Sequence, residues 1–233
     1  MKQVLITGGA RGIGFGIAQA MLAAGYGVTV TGLTAEEVAA VPAHPNLKAV
    51  TLDVTSDAQV EACVGSLTRL DALVNCAGMV LRDGKEFTLP GFQKVIDVNL
   101  TGTMRMCLAA KPLLDRQGGA IVNIASVWSF LGGPLVPAYT ASKGGVAQLT
   151  KSLAVAWAPA IRVNAIAPGW IETDLTKPAQ ADKVRSDAII ARTPFGRWGK
   201  PDDIGGAAVF LCSDAAGFIT GTVLPVDGGY IAK

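Results

Sequence analysis

A doubly wound α/β fold, with one parallel sheet of about seven strands and helices on both faces, is what the sequence predicts. Three observations point to it. Short β-rich runs alternate with helix-length segments along all 233 residues. The strand-like runs are built on continuous apolar residues rather than strict alternation, as expected where both faces of a parallel sheet are covered. A glycine-rich turn joins the first strand-like run to the first helical segment, the place where such sheets hold dinucleotides.

The elements follow in order. QVLIT (3–7) stops at paired glycines, and a helical pattern occupies 12–24. GVTVT (27–31) leads to a short helix near 34–40, and KAVTLD (48–53) to another over 57–67. DALVN (71–75) precedes a long helical segment at 90–115, and AIVNIAS (120–126) precedes one at 138–157. RVNAIA (162–167), a helix at 201–213 and TVLPVD (222–227) complete the pattern. Right-handed crossovers between such strands wind the sheet in both directions. The segment 170–195 follows Pro168-Gly169, carries more charge and breaks the rhythm, as a lid over a ligand would. With no linker, repeat or low-complexity tract, 1–233 reads as one dinucleotide-binding catalytic domain.

Composition narrows the classes. Half the residues are hydrophobic, 16% are charged and 28 are glycine, which excludes disorder and points to apolar surface covered by partner subunits. A net charge of +2 without a basic run argues against nucleic acid or an anionic membrane as partner. No apolar run approaches the ~18 residues of a bilayer span. The short apolar run Val4–Ile6 in MKQVLITGG is well below the roughly 7–15 residues of a secretory signal, so a cytoplasmic protein is expected. Cys63, Cys76, Cys107 and Cys212 are scattered and read as reduced core thiols. The one histidine, His44, lies in a proline-flanked loop and reads as exposed, so neither a zinc site nor a Ser-His-Asp triad is expected.

In VLITGGARGIG (4–14), Gly8 would permit the tight turn, and Gly12, Ile13 and Gly14 would bring backbone and helix N-terminus against a pyrophosphate. A strand before and a helix after make this more than a coincidence of glycines. At the end of the second strand, Gly32 and Leu33 offer neither an acid for ribose hydroxyls nor a base for a 2′-phosphate. Arg11 is the nearest cation for that phosphate. NAD(P) is therefore the expected cofactor, with NADP favoured over NAD.

Tyr139 and Lys143 are four residues apart in a helical segment, which puts them on one face about 5–6 Å apart. Tyrosine, with a pKa of ~10, is a poor base, and a neighbouring ammonium is expected to lower that value. Tyr139 could then exchange a proton with a carbonyl or alcohol oxygen, which Ser126 at the end of the fifth strand would also bond. Trp128 and Trp170 are expected to form apolar walls of the pocket.

These motifs, taken together, resemble the short-chain dehydrogenase/reductase family over essentially the full chain. TGGARGIG (7–14) resembles its cofactor turn, LDV (52–54) its adenine-contacting segment and NCAG (75–78) its NNAG element. VNLTG (98–102), YTASK (139–143) and APGWIET (167–173) resemble its catalytic Asn, its Tyr-x-x-x-Lys and its nicotinamide loop. The resemblance implies a tetrad of Asn99, Ser126, Tyr139 and Lys143. It also implies cofactor contacts at Asp53, Val54, Asn75, Ala77, Gly78, Pro168, Gly169, Ile171 and Thr173. Cys76 departs from the pattern, standing where the family has a second Asn.

The implied reaction is hydride transfer between a nicotinamide and a small-molecule carbonyl or secondary alcohol. SFLGGPLVPAYTASKGG (129–145) looks similar to sugar-acid and polyol dehydrogenases of the family. The alternatives are a 3-oxoacyl-carrier-protein reductase, which would need more basic surface than Lys151 supplies, and a non-catalytic dinucleotide sensor. Nucleotide-sugar epimerases are longer. The helix at 138–157 is apolar or small nearly all round, so a homotetramer, or a homodimer, is expected, with Ala147 and Ala154 on the outward face.

Overall fold

A computed structural model describes residues 1–233. Seven parallel strands form one sheet: β1 (Gln3–Thr7), β2 (Gly27–Gly32), β3 (Leu47–Thr51), β4 (Ala72–Asn75), β5 (Ala120–Ile124), β6 (Arg162–Pro168) and β7 (Val223–Val226). Their order across the sheet is β3-β2-β1-β4-β5-β6-β7. The direction of winding reverses between β1 and β4, and a crevice opens there at the carboxyl ends of the strands.

The continuous apolar strands are explained by cover on both faces. Val4 and Ile6 of β1 point to one side, into a core shared with Ile17, Met21, Val30 and Ile204. Leu5 points to the other, with Leu73, Met106, Leu114 and Ile121, as the two-residue period of a strand requires. On the first side α1 (Gly12–Ala23) packs against α9 (Pro201–Cys212). Glycines allow that approach: a Cβ on Gly16 would lie 2.7 Å from Pro201, and one on Gly205 2.6 Å from Ala20.

The second side carries α3 (Asp57–Gly65), α5 (Gly102–Asp115) and α6 (Pro137–Trp157). The short α2 (Ala35–Ala39) flanks β2 and β3. The long helix expected over 90–115 is two helices, α4 (Leu89–Ile96) and α5, joined by a wide π-helical turn at Asp97–Thr101. Asn99 lies in that turn, and such turns recur at functional sites. Residues 170–195 contain α7 (Lys177–Ala181) and α8 (Lys183–Arg192). The strand expected over 120–126 stops at Ile124, because Ser126 caps a short 3₁₀ turn, its hydroxyl accepting from the Trp128 N–H at 3.2 Å.

Two expectations about α6 are corrected. Ala147 and Ala154 are 7% and 2% exposed and face the protein's own interior. The helix turns Gln148, Lys151, Ser152 and Val155 outward instead. No helix is long and apolar enough to cross a membrane.

Candidate active site

A cleft of about 580 Å³ lies over the β1–β4 reversal. Gly8, Ala10, Arg11, Gly12, Ile13 and Gly14 line it from the first turn, and Leu52, Asp53, Val54 and Thr55 from the end of β3. Cys76, Ala77, Gly78 and Met79 follow β4, Tyr139 and Lys143 come from α6, and Thr173, Asp174 and Leu175 precede α7.

The turn is a cradle that side chains would fill. Gly8 and Gly12 have φ of +62° and +55°, a left-handed backbone that glycine adopts without strain. A Cβ on Gly14 would stand 2.4 Å from the Gly8 carbonyl oxygen. No side chain caps α1, so its first amides point into the cleft without a protein partner. Free N–H groups with a favourable dipole suit a pyrophosphate, so the residues present fit a dinucleotide.

At the expected ribose end stands a carboxylate that no sequence motif marks. Glu37, in the first turn of α2, accepts the Leu33 N–H at 2.7 Å and pairs with Arg11 Nε at 3.0 Å. A Cβ on Gly32 would lie 2.9 Å from the Glu37 Cβ and 3.2 Å from that of Ala10. The missing side chain at the strand end thus leaves room for an acid delivered from the next helix. Arg11 also reaches Asp174 at 3.5 Å, and Arg82 donates to the Leu175 carbonyl, so two cations tie the segment after β6 across the cleft.

Tyr139 and Lys143 share one face of α6, with the Lys143 ammonium 5.7 Å from the tyrosine ring centre. The ammonium donates to the Ile124 carbonyl at 2.6 Å. Burial holds Lys143 down to about 8. Burial likewise pushes Tyr139 up to about 12; the Ser126 hydroxyl opposes that rise, while Cys76 and Glu86 add to it. The lowering expected from the lysine does not appear: removal from water is the largest influence on the phenol, and the one opposing it comes from Ser126. Burial keeps Cys76 a neutral thiol by raising it to about 11.

Asn99 is buried behind the cleft. Its Oδ1 accepts the Met79 N–H at 2.8 Å, and its Nδ2 donates to the Met79 carbonyl at 2.9 Å and to Ser142 Oγ at 3.0 Å.

Several expected residues do not line the cleft. Asn75 pairs in register with Asn123, and its side chain points beneath the sheet, donating to Asn123 Oδ1 at 2.9 Å and to Cys107 Sγ at 3.3 Å. The structure therefore puts Asn75 in a buried polar chain that continues to Thr150. Pro168 ends β6, Gly169 packs against Asp227, and Ile171 is buried against Gly199. Ser126 lies beside the Tyr139 phenol but does not line this cleft. Trp128 packs edge-on against Trp170 at 6.0 Å, and Trp170 against Trp198 at 5.6 Å, joining the turn after β5 to the cluster under α7 and α8.

A family model described as enoyl-(acyl carrier protein) reductase matches residues 8–231. The 2-dehydro-3-deoxy-D-gluconate 5-dehydrogenase of Bacillus subtilis is 43% identical, over 100% of this chain and 95% of its own length. A gluconate 5-dehydrogenase from Burkholderia cenocepacia, solved with NADP and tartrate, superposes with a TM-score of 0.93 at 35% identity, covering 100% of this chain and 96% of that one. A relative from Agrobacterium tumefaciens, solved with bound NADP, is 41% identical with a TM-score of 0.90, covering 100% and 97%.

Proposed function

This chain belongs to the short-chain dehydrogenase/reductase family, and from that membership we propose that it interconverts a hydroxyl and a ketone on a sugar acid of the D-gluconate type. It is an NAD(P)-dependent oxidoreductase acting between CH–OH and C=O groups. The observation that carries the reading is the meeting of Tyr139 and Lys143 with the glycine turn in one cleft.

The bound nicotinamide would supply or accept the hydride. Gly8, Gly12, Ile13 and Gly14 would hold its pyrophosphate, and Asp53 and Val54 would lie at the adenine. Tyr139, kept as a phenol by burial, would donate its proton to the carbonyl oxygen, to which Ser126 would also hydrogen-bond. Lys143 would meet the nicotinamide ribose, and Thr173 would close the site from the segment that we read as a lid. Trp128 and Trp170 would stiffen that lid against the turn after β5. An acyl-carrier-protein reductase fits less well, since the stretch of α6 beyond Lys143 carries Lys151 as its one cation. The test is oxidation of D-gluconate and 2-dehydro-3-deoxy-D-gluconate with NAD+ and with NADP+, against reduction of a 3-oxoacyl thioester with NADH and with NADPH. Faster turnover of the thioester would overturn the sugar-acid reading.

Cofactor choice rests on the Arg11–Glu37 pair. A 2′-phosphate would draw Arg11 from Glu37 and meet the carboxylate's repulsion. Arg11→Ala should weaken NADPH more than NADH, and Glu37→Gln should tighten NADPH by about tenfold, near 1.4 kcal/mol. Fluorescence titration of each cofactor checks this; equal changes for both would show that the pair does not read the phosphate. Gly32→Asp would be a poor probe, since its Cβ collides with Glu37.

The assembly we propose is a homotetramer with two-fold symmetry. Leu108 on α5 is 54% exposed and Val155 on α6 is 85% exposed, an apolar pair that a partner subunit would cover. Val155→Glu should lower the mass seen by light scattering while leaving the fold intact. A wild-type monomer near 24 kDa would refute it. We place the protein in the cytoplasm, where its four free cysteines would stay reduced.

A further inference from the structure

We propose that Glu86 is a positioning residue for Tyr139: its carboxylate fastens the loop after β4 to the first turn of α6 and so sets where the phenol stands in the cleft. The inference rests on Tyr139 being the proton carrier.

Glu86 is 1% exposed, on a short 3₁₀ turn at Lys85–Phe87. A carboxylate so deeply buried normally needs a cation, yet no Lys or Arg pairs with it. It is held by two backbone amides instead. One oxygen accepts the Leu81 N–H at 2.9 Å, and the other accepts the Tyr139 N–H at 2.9 Å. The second amide belongs to the first turn of a 21-residue helix, an end that favours negative charge. That end has no cap of its own, for Val136 is the N-cap and offers no side-chain acceptor. Glu86 supplies the cap from 53 residues away.

The arrangement grips Tyr139 from both sides. Its N–H goes to Glu86, and its carbonyl accepts the Ser142 hydroxyl at 2.7 Å. Ser142 in turn accepts from Asn99, which also holds Met79. The loop at 79–81 is thus tied to α6 at two points, through Asn99 and through Glu86. An alternative use for a buried acid here, as a ligand to substrate, is disfavoured because both its oxygens are already occupied by amides.

The charge has a second consequence. Besides burial, the groups acting on the Tyr139 phenol are the Ser126 hydroxyl, Cys76 and Glu86, whose negative charge disfavours the phenolate; the Lys143 ammonium stands 5.7 Å from the ring centre. Removing that charge lowers the pH at which Tyr139 gives up its proton.

The experiment compares the wild type, Glu86→Gln and Glu86→Asp, with Tyr139→Phe alongside, using NADP and the faster of D-gluconate and 2-dehydro-3-deoxy-D-gluconate. Glu86→Gln should lower kcat by about tenfold to a hundredfold, the scale of a misplaced reacting group, with cofactor Kd changed less than about twofold. Its kcat–pH limb for Tyr139 should move to lower pH. Glu86→Asp keeps the charge but is too short to reach both amides. It should lose kcat without moving the limb, and it carries the test if the glutamine variant does not fold. An unchanged kcat in both variants, or a parallel loss of cofactor binding, overturns the proposal. Turnover retained by Tyr139→Phe overturns the proton-carrier reading and the role of Glu86 with it. Turnover lost there but unaltered in the Glu86 variants overturns the role of Glu86 alone.

Discussion

Tyr139→Phe should turn over sugar acid roughly 10²–10⁴-fold more slowly than the wild type, the usual contribution of a positioned acid–base group. The substitution keeps the ring packed against Lys143 and removes only the oxygen that exchanges the proton. Cofactor affinity should hardly change, because the glycine turn and the β3 end of the cleft are untouched. Steady-state kinetics with a separate titration of NADPH separates the two. A Phe variant with near-wild-type kcat would remove Tyr139 from the chemistry.

Lys143→Met should abolish most turnover and yet make the cofactor-free protein more stable at neutral pH. The ammonium is buried, its proton affinity is held down to about 8, and its one hydrogen-bond partner is the Ile124 carbonyl. Below pH 8 the folded state carries a charge that the unfolded chain would hold in water at its ordinary value of 10.5. As pH rises from about 8 to 10.5 the unfolded chain binds more protons than the folded one, so wild-type stability should rise across that window. Methionine fills nearly the same volume without the charge. The gain should be about 1–3 kcal/mol near neutral pH, after allowing for the unpaired carbonyl, and should shrink towards pH 10.5. Denaturant melts at the two ends of the window check this. A methionine variant less stable than wild type at neutral pH would mean that the ammonium is not held at a cost.

The same two residues show how far a sequence can be read. Spacing of four in a helical segment places Tyr139 and Lys143 on one face whatever surrounds them, and the structure has them so. Spacing says nothing of dielectric, however, and the phenol lies where loss of water decides its titration rather than the ammonium beside it. The parallel sheet was legible for a comparable reason: strands covered on both faces are largely apolar rather than alternating, and no tertiary detail is needed to see that. Which face of α6 turns outward depends on how the helix rolls onto β5 and β6. Ala147 and Ala154 therefore read as surface when they are interior. Alternation along β4 carries Asn75 beneath the sheet, a parity that the resemblance of NCAG to a cofactor segment did not reveal.

Glu37 and Glu86 were illegible for another reason. Each acts through a contact that local pattern cannot announce, Glu37 by leaning from α2 into space left by Gly32, Glu86 by reaching a backbone amide far along the chain. The cue for Glu37 was present in an indirect form. A glycine where an acid is usual raises the question of what fills its place, and an acid in the first turn of the next helix is an answer.

The central claim is that one cleft joins a dinucleotide to proton transfer by Tyr139 on a sugar acid. Nicotinamide absorbance, followed while 2-dehydro-3-deoxy-D-gluconate or D-gluconate is added to the wild type and to Tyr139→Phe with NADP and with NAD, tests it most directly. The expected result is saturable reduction of the cofactor by the wild type and almost none by the Phe variant, with both proteins binding the cofactor alike. Cofactor binding without turnover of either sugar acid by the wild type, or equal turnover by the two proteins, would contradict it.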